Sequence, residues 1–277
     1  MSTLTRRDFA RAAAAAAAAL TAARVPAEAQ AKAPLILGLA SYSVREFSLD
    51  QALTWANELG VTHMTFKDVH LPRTDPLEKT RELAAKIRAA GITIMGGGTI
   101  TLPNDQAQIK KDFEYAKAAG FPLIYVDPDP AALDFIEEMS KQYDIRVAIH
   151  NHGPEEKDWP TPKSAYDAVK SRDKRLGLCI DIGHTLRTGT DPVKACRDCR
   201  DRLYDMHVKD LRVRTDRDSQ VAVGRGVIDF PGLFRTLIDI GYSGQVGLEY
   251  EINAKNPMPG IIESMAYMRG VLAALTT

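Results

Sequence analysis

The chain is expected to fold as an α/β protein, a single (β/α)8 barrel, on three observations. From residue 35 onward, short apolar runs alternate with amphipathic segments of helical length, the order that builds a parallel sheet from strand-helix units. The runs number eight, the strand count that closes such a barrel. They are largely continuous in apolar character, as suits strands covered on both faces.

In order, the expected strands are "LILGLAS" (35–41), "THMTFK" (62–67), "ITIMGGG" (92–98), "PLIYVD" (122–127), "VAIHNH" (147–152), "LGLCID" (176–181), "LYDMHVKD" (203–210) and "QVGLEYE" (245–251). Helices are expected near 48–59, 77–90, 107–119, 130–143, 162–172, 192–201, 231–240 and 259–274. Ser48 suits a helix N-cap, and Thr161 and Asp191 each precede a proline at a first helical position. Gly60, Gly91, Gly120 and Gly241 follow helices where a left-handed residue ends the last turn. The alternative, an open doubly wound sheet, lacks the G-x-G-x-x-G that would support a nucleotide site after the first strand. The expected fold class is therefore a TIM barrel.

Residues 1–31 are set apart from that domain. "TRRDFAR" (5–11), the alanine-rich run 12–20 and the A-x-A exits at Ala29 and Ala31 together predict a twin-arginine secretory signal that is removed. The mature barrel, 32–277, is then expected in the periplasm. The apolar run is too short to span a bilayer, so no permanent membrane anchor is expected. A polyalanine helix is the ordinary alternative.

The 36 basic and 36 acidic side chains cancel, and removing residues 1–31 takes four of the former and two of the latter, leaving 32 against 34. Such balance excludes an electrostatic nucleic-acid binder and points to a small molecule as partner. Homo-oligomerisation is left open. Three cysteines make no even disulfide framework. Cys179 reads as a small core residue. Cys196 and Cys199 read as an incidental helical pair, with a local disulfide as the alternative.

A barrel gathers its active site at the C-terminal ends of its strands. Those ends carry Ser41 and Tyr42, Lys67 and Asp68, Gly96 to Gly98, Asp127, His150 to His152, Asp181 with His184, His207 with Lys209 and Asp210, and Glu249 with Glu251. Imidazoles and carboxylates aimed at one axis make a site for a divalent transition metal. Each has an ordinary alternative: Asp181 as a cap, His207 as a hydrogen-bonded core residue, Glu249 paired with a rim lysine. Four such coincidences on strands five to eight are harder to accept than one metal centre.

The stretches "CIDIGHTLRTGTDP", "LYDMHVKD", "VGRGVIDFPGLFRTL" and "GYSGQVGLEYE" resemble the sugar phosphate isomerase/epimerase family of xylose-isomerase-like TIM barrels. The resemblance runs over essentially the whole mature chain. It implies a carbohydrate substrate and a divalent ion held by a carboxylate from strand five, an Asp from strand six, a His from strand seven and a Glu from strand eight. The last three fall on Asp181, His207 and Glu249. At strand five the chain departs from the usual E-N-H, with His150, Asn151 and His152 in its place.

With His150 in the first slot, the expected ligand set is His150, Asp181, His207 and Glu249, which suits Mn, Co, Zn or Fe better than Mg. The expected chemistry is proton abstraction next to a carbonyl, with Glu249, His152 or Lys67 as the proton-handling group. His184, Lys209, Arg225 and Trp159 are candidate substrate contacts, and Asp210 a group that orients Lys209 or a histidine behind the ligands. The outcome is isomerisation or epimerisation. The alternatives are elimination from an oxidised (3-keto) glycoside or keto-sugar, and a non-catalytic sugar-binding barrel.

Overall fold

The computed structural model describes residues 35–276, so the twin-arginine stretch lies outside the described residues. All eight expected runs form strands: β1 (Ile36–Ala40), β2 (His63–Phe66), β3 (Thr93–Leu102), β4 (Leu123–Pro128), β5 (Arg146–His150), β6 (Leu176–Asp181), β7 (Leu203–Val208) and β8 (Gln245–Leu248). Every strand pairs in parallel with its sequence neighbours, and β1 closes the barrel on β8 with Gly38 opposite Gly247 and Leu39 opposite Leu248. The open doubly wound alternative is thereby excluded. β3 overshoots its expected end by four residues and β4 by one, because Thr101 and Leu102 continue to pair with Asp127 and Pro128.

The helices are α1 (Leu49–Glu58), α2 (Leu77–Ala89), α3 (Gln106–Ala119), α4 (Leu133–Tyr143), α5 (Pro162–Val169), α6 (Ile182–Arg187), α7 (Pro192–Asp198), α8 (Phe230–Asp239) and α9 (Met258–Thr276). Their ends follow local chemistry. Ser48 accepts from the Gln51 N–H, Thr161 and Ser164 form a reciprocal capping box, and Asp191 accepts from the Val193 N–H. Gly120 takes the left-handed conformation at φ +68° that ends α3.

Two features depart from the expected elements. The six-residue α6 begins directly from the last residue of β6, with Asp181 as its N-cap. Beyond Val208, residues Asp210–Leu211 pair antiparallel with Gln220–Val221, so "LYDMHVKD" is a strand only in its first six residues.

Helix faces and the outward faces of the strands bury one continuous apolar layer, including Ile87, Phe113, Ile136, Val147, Leu178, Phe234 and Met268. The bore holds a smaller cluster of Leu123, Tyr125, Ala148 and Cys179. All three cysteines are free and buried, so the C-x-x-C pair forms no disulfide. Burial raises both thiols, that of Cys199 to about 12, which leaves them poor nucleophiles. Register then sets the mouth of the bore: His150 lies opposite Cys179, and Asp181 opposite His207.

Candidate metal centre at the barrel mouth

His150, Asp181 and His207 stand at the last or next-to-last residues of β5, β6 and β7, and Glu249 follows β8 directly. All four are buried, and one donor atom from each lies within 4.8 Å of the other three. The Nε2 atom of His150 is 3.0 Å from His207 Nδ1 and 3.8 Å from Asp181 Oδ2, while His207 Nδ1 is 3.4 Å from Glu249 Oε2. Donors about 2.0–2.2 Å from a tetrahedral ion stand about 3.3–3.6 Å apart, and the three distances here, 3.0, 3.4 and 3.8 Å, bracket that spacing.

Backbone chemistry aims the donors. Asp181 spends Oδ1 on the His184 N–H at 2.9 Å as the cap of α6. Its Oδ2 is left facing the bore, where the Lys209 ammonium lies 3.0 Å away. Asn151, the middle residue of the H-N-H run, fixes β5 to β6. Its amide donates to the Asp181 carbonyl at 3.2 Å and to Thr185 Oγ1 at 3.1 Å, and its carbonyl accepts from the Asp181 N–H at 3.0 Å. The ordinary reading of Asp181 as a cap is thus true as well, alongside its convergence with the two imidazoles.

Electrostatics sort the donors by charge. Burial, with His152 and His207 close by, holds the His150 imidazole well below its ordinary pKa, so it is neutral and has a lone pair to offer. Burial opposes ionisation of Glu249, but His207 and Lys209 outweigh it and hold the carboxyl well below the usual range. Asp181 is lowered against its burial by Lys209 and His184. His207 is raised because Glu249 overcomes the cost of burying its cation. The donor set, two imidazoles and two ionised carboxylates around shared space, fits a divalent transition ion.

The Lys209 ammonium lies among these carboxylates, 3.0 Å from Asp181 Oδ2 and 2.9 Å from Glu249 Oε2, and it also pairs with Glu251. Its stem runs over Gly183, where a Cβ would come 2.5 Å from Lys209 Cγ, so only glycine leaves the lysine room. Lys209 also lines a cavity of about 300 Å³ at the barrel mouth, together with Tyr42, Arg45, His184, Arg187, Arg217 and Gln220. It stands between that cavity and the four donors.

The remaining candidates are scattered. His152 packs its ring 4.5 Å from that of His150, and it shares a second cluster with Asp127 and Glu156. Its Nδ1 is buried without a hydrogen bond. His184 Nδ1 faces an Arg187 guanidinium nitrogen at 3.0 Å, which turns Nε2 toward Asp181. The Lys67 ammonium lies 4.2 Å over the Tyr42 ring instead of bridging Asp68 or Glu249.

Three expectations are corrected. Trp159 is buried in the apolar layer and donates Nε1–H to the Pro128 carbonyl at 2.7 Å, so it packs its loop down and presents no face to a sugar. Arg225 pairs with Glu263 of α9 and lines no part of the cavity. Asp210 does not touch Lys209. Its carboxylate accepts from the backbone N–H groups of Leu211, Gly224, Gly226 and Ile228 and so fixes the loop that contains G-x-G.

Arg45, Arg187 and Arg217 join the cavity without having been singled out in the sequence. The helical spacing of Arg187 from His184 was the only available signal. Arg45 and Arg217 sit in segments whose approach to the mouth depends on the closed barrel.

Residues 53–271 match the family described as xylose isomerase-like TIM barrel. The chain is 26% identical over 141 residues to the rhizopine catabolism protein MocC of Rhizobium meliloti, covering 46% of this chain and 42% of that protein. It is 36% identical over 89 residues to an inosose dehydratase of Geobacillus kaustophilus, covering 27% of this chain and 29% of that protein. The matched stretches thus span less than half the length of these curated relatives. In fold, the chain is similar to the 3-keto-D-glucoside 4-epimerase YcjR of E. coli, with a TM-score of 0.68, 18% identity, and coverage of 85% of this chain and 99% of that one.

Proposed function

The chain belongs to the xylose isomerase-like TIM-barrel family, and from that premise we propose that it is a divalent-metal-dependent isomerase or epimerase of a small carbohydrate. One observation carries the reading: four buried donor atoms, from His150, Asp181, His207 and Glu249, converge within 4.8 Å at the mouth of the bore. His150, Asp181, His207 and Glu249 would hold the ion, with Mn, Co, Zn or Fe suited better than Mg. When bound, such an ion supplies Lewis acidity to a carbonyl and a neighbouring hydroxyl oxygen, which acidifies the adjacent C–H.

The chain's own groups do the rest. Glu249, ionised despite burial, accepts the proton from the substrate carbon on one face. His152 returns or removes a proton on the other, since it stands beside His150 without a hydrogen bond to its buried Nδ1. His184, with Nδ1 facing Arg187, directs Nε2 to a substrate oxygen, and Lys209 holds the carboxylates of Asp181, Glu249 and Glu251 ready at the mouth. Lys67 stays on the rim against Tyr42. We further propose that residues 1–31 export the folded barrel to the periplasm through the twin-arginine route.

A second reading is elimination, from a 3-keto-glycoside or a keto-sugar. The cluster of Asp127, His152 and Glu156 favours it, because it sets two carboxyl groups beside His152, groups of the type that protonates a leaving oxygen. Incubation of Mn-loaded protein with free ketoses and 3-keto-glycosides in deuterated water separates the two. Deuterium in recovered sugar with no leaving group released is expected. Release of the leaving group selects elimination, and a purified, folded protein that binds no divalent ion overturns both. His150→Ala tests the strand-five ligand: unchanged metal content and turnover would remove His150 from the set.

A further inference from the structure

Net neutrality over the whole chain hides a local imbalance around the cavity. Arg45 directs its guanidinium at neutral groups only, the carbonyls of Tyr42 at 3.2 Å and Glu251 at 2.7 Å. Its Cζ lies 4.6 Å from the centroid of the Tyr42 ring, and Lys67 Nζ lies 4.2 Å from that same centroid. One aromatic ring is thus flanked by two half-buried cations, from the turn after β1 and from the end of β2. Neither forms a salt bridge with a carboxylate among the described residues. Arg217, exposed on the cavity wall, forms none either.

Across the mouth the balance reverses. Asp127, Glu156 and Asp158 gather at His152, with no basic partner among the described residues. The mouth is therefore bipolar, cationic at Tyr42 and anionic at His152. Along the cavity itself the lining cations Arg45, Arg187, Lys209 and Arg217 outnumber the lining carboxylates Asp218 and Glu251 by two. A half-buried cation without a counter-ion is costly, and an aromatic face offsets that cost only in part.

We propose that the sugar taken by this site carries a carboxylate, and that this carboxylate lies against Arg45 and Lys67 beside Tyr42 while the carbonyl end reaches the four donors. The proposal rests on the metal-dependent reading above and names the substrate class of the same site. A sugar acid fits this rim better than a phosphate ester. Phosphates are ordinarily cradled by backbone N–H groups at a helix N-terminus. The helix end beside this cavity, that of α6, is already capped by the Asp181 carboxylate, which would repel a phosphate.

The test is calorimetric titration of the full chain with D-glucuronate, D-glucose 6-phosphate and D-glucose at one ionic strength, with Mn binding measured separately. Glucuronate is expected to bind at least about tenfold tighter than glucose. Arg45→Met and Lys67→Met are each expected to abolish that preference while the protein still binds Mn. Equal affinities for the three sugars, no measurable binding of glucuronate, or tighter binding of the phosphate ester overturns the proposal. So does a preference that survives in the double variant. A glucuronate preference in a protein that fails to bind Mn supports the carboxylate site and sinks the metal reading instead.

Discussion

The upper layer of the barrel bore presents His150, Asp181, His207 and Glu249, and two residues back along the same strands the layer beneath presents Ala148, Cys179, Asp205 and Gly247. Both layers bury carboxyl groups completely or nearly so, yet they neutralise them by different means. Above, Lys209 and His207 face Asp181 and Glu249 and hold both carboxyls ionised. Below, Asp205 receives only neutral donors, Tyr125 Oη at 2.9 Å and its neighbour's N–H, that of Met206, at 2.7 Å. Burial there raises the carboxyl to about 7. A carboxylate in this bore thus keeps its charge where a cation is supplied and otherwise keeps its proton.

The largest effect is expected from removing a charge of the upper layer. Glu249→Gln should lower turnover by about 1,000-fold, within the range a positioned proton-transfer group contributes. It should also strip the protein of Mn, as metal analysis after desalting would show. Normal metal content together with normal turnover would place the chemistry elsewhere.

Lys209→Met tests the counter-charge directly. In metal-free protein it leaves Asp181 and Glu249 buried without their cation, which should cost about 3–5 kcal/mol in urea unfolding. Saturating Mn should recover most of that cost, since a divalent ion replaces the missing charge and stabilises whatever binds it. The same loss with and without Mn would show that Lys209 does not stand in for a cation there.

The barrel was legible because its signals are local: apolar runs, spacings and caps such as Ser48 and Thr161 need only neighbouring residues. The positions of His150, Asp181, His207 and Glu249 were legible for a related reason, as polar residues at the ends of apolar strands stand out once the strands are counted. The six residues of α6 make fewer than two turns, too few for a 3.6-residue period to emerge, and its start is masked by the strand that runs straight into it. The placement of Lys209 depends on three carboxylates brought from β6 and from beyond β8, which no local pattern encodes. Arg225 and Trp159 have chemistry that suits a sugar site, but tertiary partners on α9 and β4 claim them.

The lower layer predicts a pH dependence of opposite sign to that of an ordinary paired carboxylate. Asp205 binds its proton more tightly in the folded chain, to about 7, than at its ordinary 3.8. Between those values the folded state holds a proton that the unfolded state has lost, so stability falls as pH rises through the window. The fall should be on the order of 3 kcal/mol from pH 5 to 7, at about 1.4 kcal/mol for each pH step. Asp205→Asn, neutral throughout and still able to accept from Tyr125, should flatten that slope in metal-free protein. Urea midpoints at both pH values check it, and an unchanged slope would mean that Asp205 is ionised like the layer above.

Tyr125→Phe gives the smallest and sharpest comparison. It deletes the hydroxyl that donates to Asp205 Oδ2 and leaves the ring in place against His207, 5.5 Å between centroids. Below pH 7, with Asp205 protonated, the lost hydrogen bond joins two neutral groups and should cost about 1 kcal/mol. Above pH 7 the same hydroxyl donates to a carboxylate, and its loss should cost about 2–3 kcal/mol. The Asp205 carboxyl should also rise further, since the tyrosine hydroxyl is one of the groups that lower it against burial. The cost of Tyr125→Phe is therefore expected to grow with pH. Equal costs for Tyr125→Phe at pH 5 and pH 8 would erase the distinction between the two layers.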